Sequence, residues 1–193
     1  MPECLKIPKE DNMNSRTLKT VLVVCNGNVG RSVIAEYCLN LLFRKAGLLV
    51  EKGMVATSRG VNIDKRSMRN YPAAWSIVEP LLLGLGISLR ANQASKEIDA
   101  TVVDDAVLIL AMDREIYRFL RCRFPKSAYK TRLFSELEGK FDDIPDTKGV
   151  TDPALQNEMI LQIFNTVRNN LQQVIALAEY FADYDRMIAQ DLS

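Results

Sequence analysis

The first strong signal along the chain is an unbroken apolar run, Thr20-Val21-Leu22-Val23-Val24-Cys25. Such a β-branched run, with no polar alternation, predicts a strand buried on both faces, as in a parallel sheet. A turn of small and polar residues follows, Asn26-Gly27-Asn28-Val29-Gly30-Arg31. Ser32 then opens a helical pattern with Ile34, Cys38, Leu41 and Leu42 on one face, ending near Gly47. Val50 to Ser58 reads as a second strand stopped at Gly60, and residues 61–70 read as loop. Pro72 suits the first turn of a helix through Trp75 and Val78, which Pro80 is expected to kink or divide. Ala94 to Val103 reads as a short helix, Asp105 to Ala111 as another buried strand, and Thr131 to Phe134 as a short strand. Asp113 is the expected N-cap of a helix carrying Ile116, Tyr117 and Leu120. After a loop from Glu138 to Thr151, Asp152 and Pro153 suit the N-cap and first turn of a final helix. Its apolar stripe is Leu155, Met159, Ile163, Val167, Leu171, Val174, Ala178 and Phe181.

Four strands alternating with helices imply an α/β fold: one domain with a central four-stranded parallel sheet and helices on both faces. The expected division is a polar, charged leader over residues 1–19, the domain over 20–183 and a short tail over 184–193.

Composition narrows the function. The 193 residues are 48% hydrophobic, enough for a substantial core. Lys and Arg total 25 against 24 Asp and Glu, which argues against a general nucleic-acid binder or a polybasic membrane binder. There is no histidine. That excludes a Ser-His-Asp triad, a Cys-His pair and a His-ligated zinc site. The four cysteines form no CxxC pair, which fits free thiols in a reducing, cytoplasmic setting. No apolar run approaches the length of a membrane span, and the first residues have no signal-peptide core.

In an open parallel sheet, ligands gather outside the carboxyl ends of the strands. Cys25 ends the first strand, and five residues later Arg31 meets the start of a helix. Gly27 and Gly30 let backbone N–H groups turn inward, and Asn28 tolerates a left-handed backbone. Those N–H groups and the helix N-terminus form an anion cradle, and Arg31 offers a planar fork for phosphate oxygens. The same field favours a thiolate nucleophile without a histidine base. Transfer of a phosphoryl group to sulfur then needs an acid for the leaving oxygen. Asp142, Asp143 and Asp146 are candidates, and spacing alone does not choose among them.

The run from Val21 to Ser32 resembles the signature of the low-molecular-weight protein tyrosine phosphatase family. The likeness extends over roughly residues 20–180. Thr57-Ser58-Arg59-Gly60, Gly86-Ile87-Ser88-Leu89, Lys96-Glu97-Ile98, Leu108 to Asp113 and Asp143-Ile144-Pro145-Asp146 all resemble family segments in family order. The resemblance implies a doubly wound, flavodoxin-like fold and a metal-independent phosphomonoester hydrolase without a cofactor. It implies Cys25 as nucleophile, Arg31 as phosphate clamp and Asp146 as general acid and base. Asn26, Gly27, Asn28, Val29, Gly30 and Ser32 would line the phosphate site, with Ser58 in support. The implied partner is a phosphorylated protein or small phosphomonoester, and the implied state a monomer or weak homodimer.

Four positions depart from the family pattern. Gly30 stands where a second cysteine is usual, Val33 where a proline is common, and Asn92 where many members have histidine. Thr147 and Lys148 follow Asp146, where an aromatic residue often packs on the substrate ring. Three other readings compete. Arsenate reduction needs a thiol relay that Gly30 interrupts. Phosphoarginine hydrolysis goes with Thr where this chain has Val29. A phosphatase-like module would bind phosphorylated partners and turn over little.

Overall fold

The structure, a computed structural model, describes residues 18–63, 68–90 and 94–191. Residues 1–17 of the expected leader and Asn92 lie outside the described residues, and Lys19 already belongs to the first strand. The sheet contains β1 (Lys19–Cys25), β2 (Met54–Gly60), β3 (Ala106–Ala111) and β4 (Thr131–Leu133). The strands are all parallel in the order β2-β1-β3-β4. Because β1 is interior, its end opens on the crevice between its two neighbours.

The apolar runs of β1 and β3 bury both their faces. Val21, Val23, Leu108 and Leu110 enter one core, while Leu22, Val24, Ile109 and Ala111 enter the other. The first core is closed by α1 (Arg31–Lys45), α3 (Pro72–Gly84), α6 (Pro153–Asn169) and α7 (Leu171–Asp191). The second is closed by α4 (Ala100–Asp105) and α5 (Arg114–Arg123). Fully burying one such aliphatic side chain contributes about 1.5–3 kcal/mol, so a continuous run pins β1 in the sheet.

Several elements differ from the sequence reading. The second strand does not start at Val50. A short helix, α2 (Leu48–Lys52), lies between Gly47 and Gly53, whose left-handed φ values of 72° and 65° set it off from α1 and β2. Pro80 does not divide α3. It and Ser76, whose carbonyl loses its helical donor, are both exposed, so water can satisfy that group. The helix expected from Ala94 starts at Ala100, where the Asp99 carboxylate accepts from the Val102 N–H at 2.9 Å. Residues 94–99 before it form no helix, and Glu97 bridges Gly60. Finally, the long C-terminal helix is two. Asn170, at φ −116° and ψ 22°, ends α6. The break lets α6 pack on α1 and α3 while α7 packs on β1 and β3. The stripe from Met159 to Phe181 is otherwise as read, but Leu155 is exposed, and α7 runs past residue 184 to Asp191. No described helix is long and apolar enough to cross a membrane.

Candidate active site

Cys25 is buried at the carboxyl end of β1, and the chain after it curls back over its sulfur. Asn28 makes that curl with φ 51°, the sole non-glycine residue with positive φ among the described residues. Its backbone N–H consequently points at Cys25 Sγ, 3.2 Å away. Ser32 Oγ lies 2.9 Å from the same sulfur. Two polar groups thus converge on Sγ just where α1 begins, and partial positive charge at the helix N-terminus adds to them.

The Asn28 side chain holds the loop from behind. Its Nδ2 donates to Ser32 Oγ at 3.1 Å and Ser58 Oγ at 2.8 Å, while its Oδ1 accepts from the Lys96 N–H at 2.8 Å. Ser58, buried in β2, donates a hydrogen bond from its own hydroxyl to Glu36 Oε2 at 2.6 Å. Burial pushes the Glu36 carboxyl above its ordinary range, although the Ser58 hydrogen bond and Lys96 oppose that shift. Gly60 is also required. A Cβ there would stand 2.7 Å from the Asn26 carbonyl oxygen and 2.9 Å from the Asn28 nitrogen.

Arg31 opens α1 and is almost wholly buried. Its Nη1 donates to Asp113 Oδ2 at 2.8 Å and to the Ile144 carbonyl at 3.0 Å. Its Nη2 donates to Asp146 Oδ2 at 3.0 Å. Asp113 is the N-cap that the sequence predicted, with Oδ1 accepting from the Ile116 N–H at 2.8 Å. One carboxylate therefore caps α5 and aims the guanidinium. The Ile144 N–H donates to the Met112 carbonyl at 2.9 Å, which ties the acidic loop to the end of β3.

Geometry separates the three candidate carboxylates. Asp143 is engaged by the backbone N–H and guanidinium of Arg114 at 2.8–3.2 Å, and that pairing holds its carboxyl below the usual range. Asp142 is exposed and does not line the cleft, whereas Asp146 does, with its side chain 48% exposed. The cleft above Cys25 encloses about 470 Å³. Asn26, Gly27, Val29, Gly30 and Arg31 form its floor with Cys25, and Thr147 and Lys148 stand beside Asp146. Asn28, Ser32 and Ser58 sit beneath as supports.

Residues 20–186 match the family described as low molecular weight phosphotyrosine protein phosphatase. The chain belongs to that family. It is 31% identical over 125 residues to a probable low molecular weight protein-tyrosine-phosphatase, EpsP, of Ralstonia solanacearum, covering 65% of this chain and 76% of the relative. Among solved structures it resembles the low molecular weight protein tyrosine phosphatase of T. tengcongensis. That match has 26% identity and a TM-score of 0.68, covering 80% of this chain and 98% of the other. The YwlE arginine phosphatase of Geobacillus stearothermophilus shares the fold at 22% identity and a TM-score of 0.65, with 82% and 93% covered.

Within this phosphatase family member, sequence reading missed three participants. Glu36 lies one turn beyond Ser32 on α1 and reads as an ordinary surface position, yet it closes the Ser58–Asn28 network. The Arg31 anchor role of Asp113 could have been suspected, because it follows the carboxyl end of β3, where the ligand crevice lies. Gln156 is buried, and its Nε2 donates to the Thr147 and Val150 carbonyls at 3.2 and 2.8 Å. It fixes the loop carrying Asp146 onto α6. Cys38 is wholly buried, where desolvation pushes its thiol up to about 12, and Cys122 is exposed.

Proposed function

We propose that this phosphatase hydrolyses phosphotyrosine through a phosphocysteine on Cys25. The thiolate attacks phosphorus, an S–P bond forms, and the P–O bond to the leaving group breaks. Arg31 holds equatorial oxygens, and Asp146 gives its proton to the leaving phenolate oxygen. Asp146 then takes a proton from water as that water attacks phosphorus, and the S–P bond breaks to return Cys25 as thiolate. Ser32 and the Asn28 N–H stabilise the sulfur in both states, with Ser58 keeping Asn28 in place. No metal or cofactor enters the cycle.

The observation carrying the reading is the convergence of Arg31 and Asp146 beside the one cysteine that ends β1. An apolar Val29 in the cleft floor favours an aryl ester over a phosphoguanidinium. The proposed substrate is a phosphorylated protein or a small phosphomonoester, in a reducing, cytoplasmic setting that suits the free thiols. The test is turnover of a phosphotyrosine peptide with chelator present. The wild type should hydrolyse it, and Cys25→Ser should bind inorganic phosphate without turnover. Equal activity in Cys25→Ser would remove Cys25 as the nucleophile.

A further inference from the structure

Among the described residues lining the cleft, Arg31 and Lys148 are the cations and Asp146 is the one carboxylate. Arg31 and Asp146 pair with each other, and Asp113 holds Arg31 as well. Lys148 stands apart from them. It is exposed, so it lies at the mouth of the cleft and not on its floor. No carboxylate among the described residues forms an ion pair with its ammonium. Above the floor, the remaining polar side chains of the described lining are neutral amides and hydroxyls, which leave its charge uncompensated.

The backbone that carries this cation is fixed. Thr147, Lys148, Gly149 and Val150 form a turn, closed by the Val150 N–H donating to the Thr147 carbonyl at 3.0 Å. Gly149 takes φ 78°, as the third position of a type II turn requires. Lys148 is the corner of that turn, and its own N–H donates to Asp146 Oδ1 at 3.0 Å. Gln156 Nε2 ties both ends of the turn to α6 through the Thr147 and Val150 carbonyls. The Lys148 backbone therefore keeps its place beside the acid, while its flexible four-carbon stem lets the ammonium reach. An ester with phosphorus over Cys25 and its leaving oxygen at Asp146 passes the rest of its chain out of this mouth. The cation there meets the residues that flank the phosphorylated one, because the phosphate itself is taken by Arg31 and the loop.

We propose that Lys148 is a specificity-determining residue that selects phosphotyrosine flanked by acidic residues. This inference rests on the phosphatase reading and deepens it. A substrate carboxylate competes with no described carboxylate of the protein for this ammonium. One exposed ion pair of this kind changes affinity by about two- to fivefold, and salt screens it.

The experiment compares two phosphotyrosine peptides that differ only in carrying Glu or Gln on each side of the phosphotyrosine. For both, kcat/KM is measured with wild type, Lys148→Arg, Lys148→Gln and Lys148→Glu, at low salt and at about 0.5 M NaCl. At low salt, wild type and Lys148→Arg should prefer the Glu peptide about fivefold, through KM and not kcat. The preference should fall towards one at high salt. Lys148→Gln should lose it, and Lys148→Glu should reverse it. The readout is the ratio between the two peptides within one protein, so a variant with a damaged acid loop slows both alike and leaves the ratio unmoved. A wild-type ratio near one, or a preference that survives in Lys148→Gln, overturns the inference and leaves the phosphatase reading standing. Failure of the wild type to hydrolyse either peptide overturns the phosphatase reading itself and the inference with it.

Discussion

Arg31 and Asp146 meet at 3.0 Å across the floor of the cleft, although 115 residues separate them in the chain. The arginine end is buried and fixed by Asp113, while the aspartate end is half open to solvent. A cation held on one side and a carboxylate reachable from the other suit a site where anion and leaving group arrive together. Asp146 Oδ1 also accepts from the Lys148 N–H at 3.0 Å, so its carboxyl is oriented from both ends.

Asp146→Asn should therefore damage leaving-group protonation more than binding. With a phosphotyrosine peptide, kcat should fall by about 10²–10⁴ while KM changes little. A p-nitrophenyl ester, whose leaving group needs little protonation, should lose far less. Equal losses on the two substrates would take Asp146 out of the proton-transfer role.

Asn28 combines a strained backbone with a four-way polar network, and two variants separate them. Asn28→Gly keeps the left-handed backbone at no steric cost and deletes only the amide. Asn28→Ala deletes the amide and also opposes φ 51°, so it should be less stable than the glycine variant by about 1 kcal/mol. Both should cut phosphate affinity, because the Lys96 N–H and Ser58 hydroxyl lose their partner. Urea unfolding of the pair reads the difference, and equal midpoints would show that the left-handed turn carries no strain.

Glu36 gives a pH signature. Its folded carboxyl titrates above its ordinary value of 4.5, chiefly because burial disfavours the charged form. The folded state then binds the proton more tightly than the unfolded state. Its contribution is fully present below the unfolded value and is lost as pH rises through the folded value. Glu36→Gln can still accept from Ser58 but does not titrate. The stability of the variant relative to wild type should rise as pH climbs from 4.5 towards neutrality. A difference constant across that range in denaturant titrations would contradict the assignment.

Gln156 is a buried amide whose two hydrogen bonds go to the loop after Asp146. Gln156→Leu preserves bulk and leaves the Thr147 and Val150 carbonyls without that donor, at a cost of about 1–3 kcal/mol. The loosened loop should also lower kcat on phosphotyrosine peptides, with inorganic phosphate binding retained. Hydrogen exchange at residues 147–151 should quicken in the variant. Unchanged exchange and unchanged kcat would mean that α6 does not position the acid.

Much of this was legible in the sequence, for local reasons. The doubly apolar runs at 21–25 and 106–111 can be satisfied only inside a sheet covered on both faces, so the parallel α/β architecture followed from them. The Cys25–Arg31 loop was readable because its ingredients are contiguous: a strand end, a residue that tolerates positive φ and a helix start. Asp113 and Asp152 were readable as caps because a cap acts within three residues. Tertiary packing decided the rest. Val50 falls in a helix because Gly47 and Gly53 bracket it, and the last helix breaks at Asn170 because its halves pack on different partners. The family resemblance already pointed to Asp146, but that Arg114 engages Asp143 and that Glu36 and Gln156 join the networks around the loop depended on what lies across from them. The absence of histidine ruled out one kind of nucleophile activation at once. Which groups surround Cys25 instead was decided by the fold, since contacts between residues far apart in the chain leave no periodicity in it.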